Sequence, residues 1–112
     1  MGVGVDIVKV ERFKKLSPRF ITRVYTPREQ EYLDQKLAQL PQSAAGLFAA
    51  KEAVAKAIGT GFTPGLQPTD IEILHDTTGK PYVILHNNTN APANIELSIA
   101  HTTTDAIAFA VV

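Results

Sequence analysis

The sequence predicts an α+β fold: an N-terminal strand, a helical middle that includes one long central helix, then antiparallel strands, in a single domain over residues 1–112. Three observations predict it. Gly2 to Ile7 alternates small or polar residues with Val3, Val5 and Ile7, the period of a strand. Residues 8 to 59 carry helix caps and helical spacing, with an alanine-rich stretch at their end. From Asp70 onward, short β-branched runs are separated by turn residues.

In the first strand Asp6 shares a face with Gly2 and Gly4, so another backbone or a ligand can come close to its carboxylate. This G-x-G is a poor dinucleotide loop, because it lies within the strand and lacks the third glycine. Val8 to Leu16 and Pro18 to Tyr25 read as short helices split near Ser17-Pro18. Thr26-Pro27-Arg28-Glu29 is a capping box with proline at the first helical position, which predicts a helix running to about Leu40. Pro41 is expected to break it, and Gln42 or Ser43 to open the long helix. Gly59-Thr60-Gly61 should end that helix, since glycine tolerates the left-handed cap. Strands are expected at Asp70 to His75, Pro81 to His86, Ile95 to Ala100 and Ala106 to Val112, with Asn87 to Asn94 as a polar loop.

Composition narrows the function classes. The chain has no cysteine, which excludes disulfides and thiolate metal ligands and fits the cytoplasm. No apolar run approaches the roughly 20 residues that span a bilayer, and M-G-V-G-V-D-I lacks the features of a signal peptide, so no membrane role is expected. Net charge is zero, with 11 basic and 11 acidic residues, but Lys9 to Arg28 holds seven basic residues against Glu11, a local +6. Such a segment is either a solvated surface or a face for an acidic partner. A nucleic-acid partner is not expected, because the chain has no tryptophan and no evident stacking set.

The stretch F-A-A-K-E-A-V-A-K-A-I-G-T-G-F, Phe48 to Phe62, carries the candidate chemistry. Leu47, Lys51, Val54 and Ile58 form one helical stripe, with Glu52 and Lys56 roughly opposite, beside alanines. Glu52 and Lys56 have the spacing of a surface ion pair, but Lys51 on an apolar stripe must snorkel or meet an anion. A carboxylate, two lysines and a glycine loop suit a metal-bound phosphate: hard oxygens hold Mg²⁺ and ammonium groups offset phosphate charge. A second carboxylate is then needed, and Asp6 is the best candidate.

Three motifs, G-V-G-V-D-I at 2–7, F-A-A-K-E-A-V-A-K-A-I-G-T-G at 48–61 and L-S-I-A-H-T at 97–102, together resemble the holo-[acyl-carrier-protein] synthases, small bacterial 4'-phosphopantetheinyl transferases. R-V-Y-T-P-R-E at 23–29, D-I-E-I at 70–73 and G-K-P-Y at 79–82 agree, so the resemblance covers nearly the whole chain. It implies the 4'-phosphopantetheinyl transferase fold and transfer of phosphopantetheine from coenzyme A to a serine of apo acyl carrier protein, within fatty acid biosynthesis. The other product would be adenosine 3',5'-bisphosphate. It also implies a homotrimer with coenzyme A between protomers, and Mg²⁺ as the ion, with Mn²⁺ as the alternative.

Residue by residue, the resemblance implies Asp6 and Glu52 as metal ligands, and Glu52 and Lys56 as catalytic residues. Coenzyme A contacts are implied at Lys51, Lys56, Gly59, Thr60, Gly61, Lys80, Pro81, Ser98, His101 and Thr102. Arg12, Arg19, Arg23 and Arg28 are the choices for docking the acidic carrier. By strand parity alone, His101 would be a core or strand-end histidine, and Ser98 lacks the elbow of a hydrolase nucleophile. Two departures stand out: Leu47 where many members have arginine, and Lys9 where an acidic residue is often seen.

Overall fold

The computed structural model describes residues 1–59, 61–62, 65–86, 92 and 94–112; Thr60 and most of the expected polar loop at 87–94 lie outside these. Strand β1 (Val3–Lys9) runs farther than the sequence pattern suggests, and Val10–Phe13 forms a 3-10 turn instead of a helix to Leu16. The reason lies in the partner strand. Lys9 lies opposite Asp105 and pairs with it at 3.1 Å, while the Val10 amide donates to the Thr104 carbonyl, so sheet pairing outlasts the apolar alternation. That pair also accounts for Lys9: its partner is the carboxylate across the ladder.

Helix α1 (Pro18–Val24) is capped by Ser17, whose hydroxyl accepts from the Phe20 amide. Helix α2 (Pro27–Asp34) starts in the expected capping box, with both reciprocal bonds from Thr26 and Glu29 present. It ends well before Leu40. Leu33 is its last buried residue, and Leu37 stands exposed, so continuing the helix would bury nothing. Helix α3 (Leu40–Ile58) then begins with Pro41 in its first turn. The expected breaker is thus an initiator, because the amide that proline lacks has no intrahelical partner there.

Strands β2 (Ile71–His75) and β3 (Pro81–Leu85) form an antiparallel hairpin. Strands β4 (Glu96–His101) and β5 (Asp105–Val111) join β1 in an antiparallel sheet of order β1-β5-β4. Helix α3 lies on the inner face of that sheet, chiefly against β1 and β5. Ala45, Ala49 and Ala53 are buried, as are Ala106, Ala108 and Ala110 on β5, so small residues meet small residues at this contact. Around the other side of α3, Phe13, Phe20, Tyr25 and Phe48 form an aromatic cluster with ring centroids 5.4–6.2 Å apart.

Candidate active site

The approach of α3 to β1 is set by missing side chains. A Cβ added to Gly4 would lie 1.9 Å from the Ala53 carbonyl oxygen, and one added to Gly2 would lie 2.0 Å from that of Ala57. Strand backbone therefore rests directly on helix backbone. The next residue on the same strand face is Asp6, and the contact delivers it to the flank of α3 where Glu52 and Lys56 stand.

Lys56 donates to Asp6 Oδ1 and to the Val5 carbonyl, both at 3.1 Å. The ion pair it makes is thus with the strand, where the sequence spacing alone offered Glu52. Asp6 Oδ2 is buried and has no hydrogen-bond partner among the described residues. Burial and the neighbouring Asp6 carboxylate push the Glu52 carboxyl above its usual range, opposed by Lys56 and Arg12. Arg12 comes from the turn after β1, with its guanidinium 5.8 Å from the Phe13 ring centroid and 5.7 Å from that of Phe48, one helical turn before Glu52.

An orphaned carboxylate oxygen beside a second carboxylate that resists ionisation is the signature of a place that a cation would relieve. The donor set is all hard oxygen, which suits Mg²⁺, an ion that takes its remaining ligands from water and phosphate. Among the described residues no cluster of three or more metal-binding side chains exists, so the described donor set is these two carboxylates.

Lys51 goes elsewhere. It is 1% exposed and pairs with Glu29, 0% exposed, at 2.8 Å; it also donates to the carbonyls of Pro68 and Ile71. The anion that Lys51 meets is therefore internal, and the expected contact with coenzyme A is replaced by a buried ion pair. Glu29 accepts from the Ile73 amide as well as from Lys51 and Thr26. Next to it the buried Glu72 accepts from the Thr26 hydroxyl, from Arg28 at 2.6 Å and from His86 at 3.1 Å. Arg28 is thereby committed to a buried carboxylate at one end of this network. The capping box pointed to Glu29 as a cap; its second partner, and the place of Glu72, have no signal in local spacing.

Gly59 ends α3 at φ 96°, the left-handed cap, and the Gly61 amide returns to the Ala55 carbonyl. Pro81 and His101 line one cavity of about 180 Å³ with Leu47, Tyr32, Ser43 and His75. Here His75 stacks on Tyr32 at 4.3 Å, and burial pushes its pKa down. Leu47, the departure from arginine, is buried at this wall. Lys80 reaches Glu96 at 3.5 Å, Thr102 accepts from the amides of Thr104 and Asp105 in the β4–β5 turn, and Ser98 is exposed on the outer sheet face opposite Phe109. Arg19 and Arg23 line a separate cavity of about 590 Å³ with Phe20, Val24 and Pro68.

The outer face of the three-stranded sheet is apolar along the middle of β1 and β5. Val3, Val5, Ile7, Ile107 and Phe109 are each 41–64% exposed, and the register sets Val5 opposite Phe109 and Ile7 opposite Ile107. No helix among the described residues is long and apolar enough to cross a membrane.

Residues 2–112 match the family profile of the 4'-phosphopantetheinyl transferase superfamily. A holo-[acyl-carrier-protein] synthase of Protochlamydia amoebophila is 45% identical over 119 residues, covering 99% of this chain and 96% of the relative. The crystal structure of the Bacillus anthracis holo-(acyl-carrier-protein) synthase, in complex with CoA (3',5'-ADP), superposes with a TM-score of 0.85 at 36% identity, covering 97% of this chain and 92% of that one. The Helicobacter pylori synthase in complex with coenzyme A gives 0.84 at 32% identity, covering 97% of each chain.

Proposed function

The chain belongs to the 4'-phosphopantetheinyl transferase superfamily, alongside its holo-[acyl-carrier-protein] synthases, and from that premise we propose that it moves 4'-phosphopantetheine from coenzyme A to a serine of apo acyl carrier protein, dependent on Mg²⁺. The observation that carries this reading is the cluster of Asp6, Glu52 and Lys56, with its unpartnered carboxylate oxygen. Asp6 and Glu52 would hold the ion, with Mn²⁺ as an alternative. When bound, Mg²⁺ supplies neutralisation of pyrophosphate charge.

The chain's own residues do the rest. The serine hydroxyl of the carrier attacks the β-phosphorus; the new Oγ–P bond forms as the bond to the oxygen shared with the α-phosphate breaks. Adenosine 3',5'-bisphosphate leaves. The serine proton passes to the Glu52 carboxylate, directly or across a water. Lys56, on the same side of α3, offsets the charge that accumulates on the departing phosphate. Gly59, Thr60 and Gly61, with Lys80, Pro81, Ser98, His101 and Thr102, would contact coenzyme A.

The apolar outer sheet face supports assembly into a homotrimer, since an exposed patch of large aliphatic and aromatic side chains is unusual on a monomer. Ser98 lies on that face, which fits a cleft completed by a second copy. The basic segment suits an acidic carrier: Arg19 and Arg23 flank an apolar floor, and the Arg12 charge acts on Glu52. We place the reaction in the cytoplasm and in fatty acid biosynthesis.

The test is the intact mass of apo acyl carrier protein after incubation with this protein, coenzyme A and Mg²⁺. One added phosphopantetheine, abolished by a chelator, is the expected result. An unchanged mass with every carrier tried, despite coenzyme A binding, would reduce the chain to a binding module.

A further inference from the structure

Lys51 uses its whole donor set inside the protein: one bond to Glu29 and one each to the carbonyls of Pro68 and Ile71. Those carbonyls belong to the segment that returns from the turn after α3. The start of that turn also hangs on the helix, because the Gly61 amide bonds to the Ala55 carbonyl. Both ends of the connection are thus referenced to one stretch of α3, Lys51 to Ala55, and Glu52 lies within it. Leu66 is buried, and the Gln67 amide is held by Asp70, so the returning segment arrives as a formed turn.

A buried ion pair is a poor choice where stability alone is at stake, since apolar residues of similar volume commonly do as well or better. It is a good choice for fixing one segment at one height on a helix, because an ammonium group aims at particular carbonyls and an aliphatic side chain does not. We infer that Lys51, held by Glu29, is a positioning residue that pins the segment 65–71 to α3 and so holds the far end of the connection that begins at Gly59 and Gly61, proposed above to contact coenzyme A, in the same frame as Glu52. This inference rests on the function proposed above and assigns Lys51 no contact with substrate.

Lys51→Met alone strands the Glu29 charge and risks failing to fold, so the informative variant is Lys51→Met with Glu29→Gln in the full chain. Removing both charges should restore part of the thermal midpoint lost in the single variant, the remainder reflecting the one backbone amide, of Thr26 or Ile73, that loses its carboxylate acceptor. With stability recovered, amide exchange in residues 65–71 is expected to accelerate about tenfold while the α3 amides stay protected. The Kd for coenzyme A should rise about tenfold, with kcat at saturating coenzyme A within about twofold of the parent. Recovered stability with parental exchange and parental Kd would overturn the inference, leaving a merely structural pair. Faster exchange with an unchanged Kd would overturn the positioning role as well. Should the parent chain itself fail to bind coenzyme A, the proposed function falls, while the exchange measurement still decides whether Lys51 pins the segment.

Discussion

Lys51 and Glu52 are neighbours on one helix, yet they belong to regions of opposite design. The region around Lys51 is closed: Glu29, Lys51 and Glu72 are 0–3% exposed, and each charge has its partners, down to both oxygens of each carboxylate. The region around Glu52 is open: Asp6 leaves one oxygen without a partner, and Glu52 is held above the usual glutamate range by burial and by Asp6. Burial of charge is common to both, so burial does not separate structure from function here. Satisfaction does. A completed network holds the fold in one arrangement, while an uncompleted one stores an appetite for a ligand.

The contrast is broken or sharpened most strongly by Glu52→Ala. Phosphopantetheine transfer should fall by about a thousandfold or more, the order seen when one group that stabilises the transition state is removed. The thermal midpoint should hold or rise, since a crowded carboxylate has gone; a large fall would place Glu52 with the structural network. Next comes Lys51→Met, which leaves Glu29 charged and buried and should cost about 3–5 kcal/mol in urea unfolding. A loss below about 1 kcal/mol would mean that water reaches Glu29 and that the closed region is not closed.

The two regions should also respond to pH with opposite sign. Burial pushes Glu72 up, but hydrogen bonds from Thr26, Arg28 and His86 outweigh it and leave the carboxyl below its ordinary range. Its contribution is therefore present above the unfolded-state value and lost as pH falls through the folded one. Glu52 is raised, so in metal-free protein its ionisation works against the fold at neutral pH, and that cost is relieved as pH falls towards the unfolded-state value. In chelator at pH 7, Glu52→Gln should raise the midpoint by roughly 2–4 °C and Glu72→Gln should lower it. The Glu52 difference should vanish as pH falls below the ordinary glutamate value and the Glu72 difference only as it falls through the lowered folded value, and a scan of midpoint against pH that gave one sign for both would remove the distinction. The smallest effect belongs to the basic surface. Arg19→Ala with Arg23→Ala should raise KM for the carrier by about three- to tenfold at low salt and leave KM for coenzyme A alone. The difference should shrink at about 0.5 M salt, where surface charges are screened.

The parts legible in the sequence are those with a local period or a local cap. The strands from Ile71 onward read directly from alternation and turn residues, and Thr26 with Glu29 marked the start of α2 to the residue. The meeting of Asp6 with the Glu52 flank was legible for a different reason: two glycines on the Asp6 face and alanines beside Glu52 announce a close contact before any partner is known. What stayed hidden was long-range pairing. Lys51 could be read as needing an anion, but Glu29 already had an explanation as a cap, and nothing in the spacing of Glu72 says that its side chain turns inward. Pro41 reads as a breaker because proline ends one helix as readily as it begins another, and only the loss of buried surface after Leu33 shows that here it begins one.

The backbone contact at Gly2 and Gly4 has a consequence for how this chain can change over generations. Elsewhere the core can drift, because one aliphatic side chain can compensate for another across a packed interface. Between β1 and α3 no side chain of Gly2 or Gly4 stands between the two main chains to exchange, and a single methyl group at Gly4 would collide with a carbonyl oxygen. The interval between Asp6 and Glu52 is thus written in main-chain atoms and lies outside the reach of compensating substitutions. Saturation mutagenesis should find Gly4 nearly as intolerant as the carboxylates themselves, though it carries no chemistry of its own.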